Sequence, residues 1–356
     1  MIKLYSAVHG AFSCAEGCSR SSTRTKRTIM EKAKAFDKMS ILFDFDGTIG
    51  DTETPAMEVA FWELAPYLVD TAPAKLDELM PEFVRDNAGK AFEFMVEKVD
   101  EDRKAASLGT VAEMFAAKSE SKEMLDAVDP HRKKFGLKTF AELRAEGGGE
   151  KENLLIQQKT ETVDALSKIA QPCNGVPEVL AALTAAGVAF CISTTSPKPR
   201  VPASITACKL DEYFPADKVH SGESDFDPPR FKPNPSVYLK AAETEGKDPV
   251  NCIAVEDSGS GVGSASNAGV GLTVGYVGAS HIPEFKKDTH AEMLMAGGRA
   301  ENGKGAEIVL SDMTDLLKVI EFFAGEKTAG KSAPFDFPVD LVSSLKQPVW
   351  VHGTKA

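Results

Sequence analysis

The sequence predicts an α/β fold, a doubly wound parallel sheet interrupted by an inserted helical block. Three observations carry this. After Pro172, helical and strand-like runs alternate to about residue 310, the pattern of a parallel sheet with crossover helices. Between Asp51 and Pro172, apolar residues recur at helical spacing with few β-branched alternations. Ahead of that block stands the apolar run Ile41-Leu42-Phe43, closed by an Asp-Gly turn. Such a run belongs with the later strands.

Taken in order, residues 1–38 form a basic, Ser/Thr-rich leader. Its first 30 residues hold one acid, Glu16, against Lys3, Arg20, Arg24, Lys26 and Arg27. That composition suits an organelle transit peptide and equally a plain basic leader. Residues 29–38 read as a short helix feeding a strand at 40–46. Met57, Ala60, Phe61 and Leu64 begin the helical block 52–172. Phe92, Met95, Val96 and Val99 continue it, then Val111, Met114 and Phe115. A polar break falls at Gly147-Gly148-Gly149. Core residues are 39–51 and 173–323. There, Val176, Val179, Leu180 and Leu183 make a helix face that ends at Gly187. Strands are expected at Val188 to Ser193, Cys252 to Glu256, Leu272 to Val274 and Ile308 to Leu310, with a helix near 261–268. Residues 324–356 are a C-terminal extension whose apolar residues pack back on the core.

Composition excludes several classes. The net charge is −12 over 356 residues, with no long basic run past residue 30, so nucleic acid and anionic membranes are excluded as partners. No stretch approaches ~18 consecutive apolar residues, so no membrane span is expected. The six cysteines are scattered and read as free thiols of a reducing compartment. Cys14 and Cys18 have no second pair with which to hold zinc. Location is cytoplasmic, or organellar (plastid or mitochondrion) if the leader is a transit peptide. A monomer or homodimer is expected.

The chemistry lies at strand ends. Asp44-Phe45-Asp46-Gly47-Thr48 sets two carboxylates two residues apart after an apolar strand, on one side of it. Acids so placed can hold a divalent cation and attack an electrophile. Thr194 and Thr195 close the second strand, where a hydroxyl and the following N–H groups can bind a phosphoryl oxygen. Lys232 stands before Pro233 and Pro235 at a helix start. There an ammonium can neutralise charge and orient a phosphate. Glu256 and Asp257 end a third strand, at the edge where ligands bind in such sheets.

These residues together resemble the haloacid dehalogenase superfamily, in its phosphatase branch with a helical cap on a Rossmann-like core. Asp44-Phe45-Asp46-Gly47-Thr48 is similar to the first family motif, and Thr194 within Ser193-Thr194-Thr195-Ser196 to the second. Lys232 in Lys232-Pro233-Asn234-Pro235 matches the third, and Val255-Glu256-Asp257-Ser258-Gly259-Ser260-Gly261-Val262 the fourth. The resemblance covers about 40 to 320. Gly275-Tyr276-Val277-Gly278-Ala279-Ser280-His281 is similar to the β-phosphoglucomutase and 6-phosphogluconate-phosphatase-like subgroup.

The resemblance implies a mechanism. Asp44 attacks phosphorus to form an aspartyl-phosphate. Asp46 protonates the leaving alkoxide and then activates water. Mg2+ is held by Asp44, the backbone carbonyl of Asp46 and Asp257, with Glu256 as a further ligand. Dehalogenating members lack an acid two residues after the nucleophile, so Asp46 argues for phosphate over halide. Lys232 and the cation offset repulsion between carboxylate and phosphate.

Specificity is expected in the block 52–172, the family's cap. Arg85, Asn87 and Lys90, in Arg85-Asp86-Asn87-Ala88-Gly89-Lys90, are candidate contacts for a phosphate or sugar hydroxyls. The run His131-Arg132-Lys133-Lys134 reads as a solvated helix face. His281 and His290 read as structural or surface residues. Three functions follow: a phosphatase acting on a small, sugar-derived phosphomonoester, a sugar-phosphate mutase of the β-phosphoglucomutase type, and a non-catalytic binding protein on the same fold.

Overall fold

The computed structural model describes residues 36–87, 92–145, 153–351 and 354–355. The leader up to residue 35, with Cys14 and Cys18, and Lys90 and the Gly147–Gly149 break lie outside the described residues. Two compact units are present.

The first unit holds the sheet. Its strands are β1 (Ser40–Phe43), β2 (Ala189–Thr194), β3 (Val219–Ser221), β4 (Cys252–Glu256), β5 (Leu272–Tyr276), β6 (Ile308–Leu310), β7 (Val349–Val351) and β8 (Thr354–Lys355). They lie in the order β3-β2-β1-β4-β5-β6-β7-β8. Pairing is parallel from β3 through β6 and antiparallel at β7 and β8. Ile41, Leu42, Phe43, Ile253, Ala254 and Val255 are buried, as strands covered on both faces must be. Leu42, Cys191, Cys252 and Ala254 pack with Val237, Tyr238 and Ala241 of the helix Ser236–Thr244. A separate cluster joins Val309 to Val262, Leu294 and Trp350.

The structure differs from the sequence expectation in three places in this unit. The first strand stops at Phe43, because the chain turns at Gly47, whose φ of +84° suits glycine. Asp44 and Asp46 therefore stand on the loop that follows. The three-residue strand β3 carries too short a pattern to read from sequence. The boundary expected at 323 falls inside the helix Leu316–Thr328. Past Pro348 the chain adds β7 to the sheet, and Trp350 Nε1 donates to Asp288 Oδ1 at 3.2 Å. Cys173, Cys191, Cys208 and Cys252 are buried free thiols, and burial pushes the Cys252 thiol up to about 12.

The second unit comprises residues 50–172 and 198–211. The latter segment, read from sequence as core, groups here because the helix Arg200–Ala207 packs along the helix Leu154–Ile169. The helix Glu53–Leu64 is central and buried on most sides, so it carries no single apolar stripe. Phe61 and Trp62 enter one cluster with Val128 and Phe140. Met57, Ala60 and Leu64 enter another with Phe92, Met95 and Val99.

Arg132 corrects the reading of the basic run as solvated. It is 1% exposed and bonds the carboxylates of Glu63 and Glu161. A guanidinium is buried when carboxylates satisfy its fork of donors. No helix among the described residues is long and apolar enough to cross a membrane.

Candidate active site

The topology itself marks a site. The chain runs from β1 to β2 and β3 on one side, then returns to β4 on the other. That reversal is a topological switch point, where ligands bind beyond the carboxyl ends of the strands. Phe43 pairs with Val255, and Asp44 N–H donates to Val255 O at 3.0 Å. Asp44 is thereby held against Glu256 and Asp257, and Thr194 ends the strand on its other side.

The side chains converge there. Lys232 Nζ lies 2.6 Å from Asp44 Oδ1 and 2.5 Å from Glu256 Oε1. Glu256, fully buried, also accepts from Tyr238 Oη at 2.5 Å and from Ser258 Oγ at 3.3 Å. Asp257 accepts from Thr48 Oγ1 at 3.5 Å and faces His281 Nε2 at 3.2 Å. Its main-chain oxygen lies 2.6 Å from His290 Nε2. Asp46 accepts from Ser196 Oγ at 2.5 Å, and Thr194 Oγ1 accepts from Ser196 N–H at 3.0 Å. Thr195 is half-buried just beyond.

Two glycines allow this packing. A Cβ on Gly47 would meet the Asp257 carboxylate and the His281 ring. A Cβ on Gly261 would overlap the Glu256 carboxylate. Gly261 stands in the first turn of the helix Gly259–Asn267, capped by Ser258, and a helix N-terminus favours an anion.

The electrostatics are short of positive charge. Burial raises the Asp44 carboxyl well above its ordinary value. Lys232 opposes this, while Glu256, Asp257 and Asp46 add to it. Burial likewise raises Glu256 against the pull of Lys232. For Lys232, burial pulls downward, but Asp44 and Glu256 outweigh it, so the ammonium stays protonated. Burial and Glu256 raise Tyr238, which keeps its proton as a donor. Asp44, Glu256 and Asp257 each offer an oxygen, all within 4.8 Å of one another. Such an all-oxygen donor set with excess negative charge fits a hard divalent cation.

Thus Asp44, Lys232 and Glu256 are directly linked, Asp257 offers an oxygen within 4.8 Å of both carboxylates, and Asp46 joins Thr194 through Ser196. Glu256 carries a second task beside the expected one, since it anchors Lys232. Tyr238, Ser196 and Ser258 were given no role from sequence: Ser196 and Ser258 stand within the second and fourth motif stretches, while Tyr238 is one aromatic of a helix with no local signature. His281 and His290, read as structural or surface residues, bracket Asp257. In the helical unit, Arg85 is exposed and paired with Glu82 at 2.9 Å and Asp86 at 2.7 Å. Asn87 Nδ2 donates to Phe83 O at 2.9 Å.

The sequence profile of the haloacid dehalogenase-like hydrolases matches residues 39–269. A CBBY-like protein of Arabidopsis thaliana is 31% identical over 134 residues, 37% of this chain and 41% of that one. A 6-phosphogluconate phosphatase of Escherichia coli is 33% identical over 97 residues, 27% of this chain and 41% of that one. The chain thus spans about two fifths of the length of these relatives. The crystal structure of a conserved haloacid dehalogenase-like protein of unknown function from Agrobacterium tumefaciens aligns with a TM-score of 0.53 at 25% identity. That alignment covers 80% of this chain and 98% of that one. The profile match spans more than half of the sequence and includes every strand-end residue described above. The chain belongs to the haloacid dehalogenase-like hydrolases.

Proposed function

We propose that the protein is a magnesium-dependent phosphatase that hydrolyses a small, sugar-derived phosphomonoester through an aspartyl-phosphate. The observation that carries this reading is the buried set Asp44, Glu256 and Asp257, within 4.8 Å of one another, with the Lys232 ammonium on Asp44 and Glu256. Asp44 is the nucleophile and Asp46 the proton carrier. Lys232, held by Glu256, orients the phosphoryl group, and Thr194 with Thr195 receives its oxygens. Asp44, Asp257, Glu256 and the Asp46 carbonyl would hold Mg2+, which supplies positive charge to a phosphoryl oxygen. Arg85, Asn87 and Lys90 are proposed contacts for the remainder of the substrate. The name of the 6-phosphogluconate phosphatase above supports a small phosphorylated metabolite as the class. Residues 1–38 are proposed as the determinant of a cytoplasmic or organellar location, and the enzyme as a monomer or homodimer.

A panel of sugar phosphates with magnesium, reading free phosphate and isomerised product together, tests this. Phosphate release is expected, stopped by EDTA and restored by added Mg2+. Isomer formation without phosphate release would favour a mutase. Turnover that ignores the chelator would overturn the metal assignment.

A further inference from the structure

Ser196 occupies the turn after β2, and its backbone is fastened on both sides. Its N–H donates to Thr194 Oγ1 at 3.0 Å, and its carbonyl accepts from Ser221 Oγ at 2.7 Å. Ser221 ends β3 opposite Thr194 and is fully buried. It is itself fixed, with its N–H on Asp225 Oδ2 at 2.9 Å and its Oγ accepting from Ser224 N–H at 2.9 Å. Two hydroxyls from neighbouring strands thus hold one residue, whose own hydroxyl donates to Asp46 Oδ2 at 2.5 Å.

We propose that Ser196 is a positioning residue for proton transfer by Asp46, with Thr194 and Ser221 holding Ser196 in place for that task. The inference rests on the phosphatase reading above. Ser196 holds one oxygen of the Asp46 carboxyl group, Oδ2, and so fixes the direction in which that group points. Asp44 attacks phosphorus and the phosphorus–oxygen ester bond breaks. Its electron pair passes to the ester oxygen, which takes the proton from the Asp46 carboxyl group. Asp46 is left a carboxylate, and the alcohol departs. Such transfer works only when the acid points at the leaving oxygen.

The test compares leaving groups. An alkoxide needs the proton, whereas p-nitrophenolate leaves without one. The measurement is kcat/KM for the fastest alkyl ester of the sugar-phosphate panel against p-nitrophenyl phosphate. General acids contribute ~10²–10⁴-fold, so Ser196→Ala is expected to lower the alkyl-to-aryl ratio by at least ~10-fold. Asp46→Asn is expected to lower the same ratio further, and Ser196→Thr, which keeps the hydroxyl, to restore it. An unchanged ratio in Ser196→Ala, or equal losses on both esters, would overturn the inference while leaving the phosphatase reading intact. A wild-type enzyme that hydrolyses no alkyl ester would overturn that reading and this one with it.

Discussion

In the helical unit, Arg132 lies between Glu63 and Glu161. In the sheet unit, Lys232 lies between Asp44 and Glu256. All four carboxylates are buried or nearly so, yet the two clusters are built for different ends. Arg132 Nη2 reaches both oxygens of Glu161, at 2.6 and 2.7 Å, Nη1 bonds Glu63, and Nε donates to Lys138 O at 2.8 Å. The Gln157 amide adds a further bond to Glu161, and the guanidinium lies 4.1 Å over the Phe140 ring. A planar fork spends its donors on these acceptors, and of the two carboxylates Glu63 Oε2 alone is left buried without a hydrogen bond. Lys232 is a point charge that reaches one oxygen each of Asp44 and Glu256, while Asp257 turns to Thr48 and His281. The carboxylate oxygens left over are those that can meet a cation and a phosphoryl group. Burial of acids with a base is common to both clusters, and the shape of the base separates scaffold from site.

The largest expected effect breaks the sheet-unit cluster at its proposed nucleophile. Asp44→Asn should lower turnover of p-nitrophenyl phosphate by at least about 10⁴-fold, roughly 5 kcal/mol of barrier. In EDTA the same variant should melt no lower than wild type, since one of several crowded carboxylates has been neutralised. Substantial residual turnover, or a large fall in melting temperature, would make Asp44 a structural partner of Lys232 and erase the contrast.

The helical cluster should respond in the opposite way. Arg132→Met leaves Glu63 and Glu161 buried without their cation, so a loss of about 3–5 kcal/mol is expected in urea unfolding. Replacing all three together, with Glu63→Leu and Glu161→Leu added, should recover most of that loss. If Arg132→Met costs under about 1 kcal/mol, water reaches these carboxylates and the cluster is not closed.

Much of the sheet unit was legible before the structure. Parallel strands buried on both faces announce themselves as short apolar runs, and Asp44, Thr194, Lys232 and Asp257 each abut such a run or a proline. Sequence reading failed where a residue's role depends on a distant partner. Tyr238 reads as one aromatic of an amphipathic helix, and only the fold brings its hydroxyl to Glu256, 18 residues away. Arg132 sits within a basic run, and nothing local says that it alone turns inward toward acids 69 and 29 residues distant. The strand β7 was hidden because its three residues follow a proline.

Tyr238 also allows a finer test of the open cluster. Tyr238→Phe removes one of the donors on Glu256 and leaves the packing of the ring in place. A hydrogen bond to a charged group is worth about 1.5–3 kcal/mol, so a stability loss in that range is expected by urea titration. A loss near zero would mean that Lys232 and Ser258 suffice to hold Glu256, making that carboxylate as closed as Glu161.

The smallest expected effect concerns the residue beside Arg132. His131 stacks on Trp62 with ring centroids 3.6 Å apart and faces Asp77 at 3.4 Å. Burial, then repulsion from Lys134, holds its imidazole below the ordinary value, with Asp77 opposing. Above about pH 6.5 the ring is neutral in both folded and unfolded chains and has no effect on the balance. As pH falls through that value, the unfolded chain takes up a proton that the folded chain resists. Stability is therefore lost on acidification, and the loss is complete below the folded pKa. His131→Phe keeps the stack and cannot titrate, so its urea midpoint should gain on wild type between about pH 7.5 and 5.5. A constant difference across that range would mean that the Trp62 stack tolerates the imidazolium. The helical cluster would then be insulated from the charge beside it, which is a stronger form of closure than Arg132 alone provides.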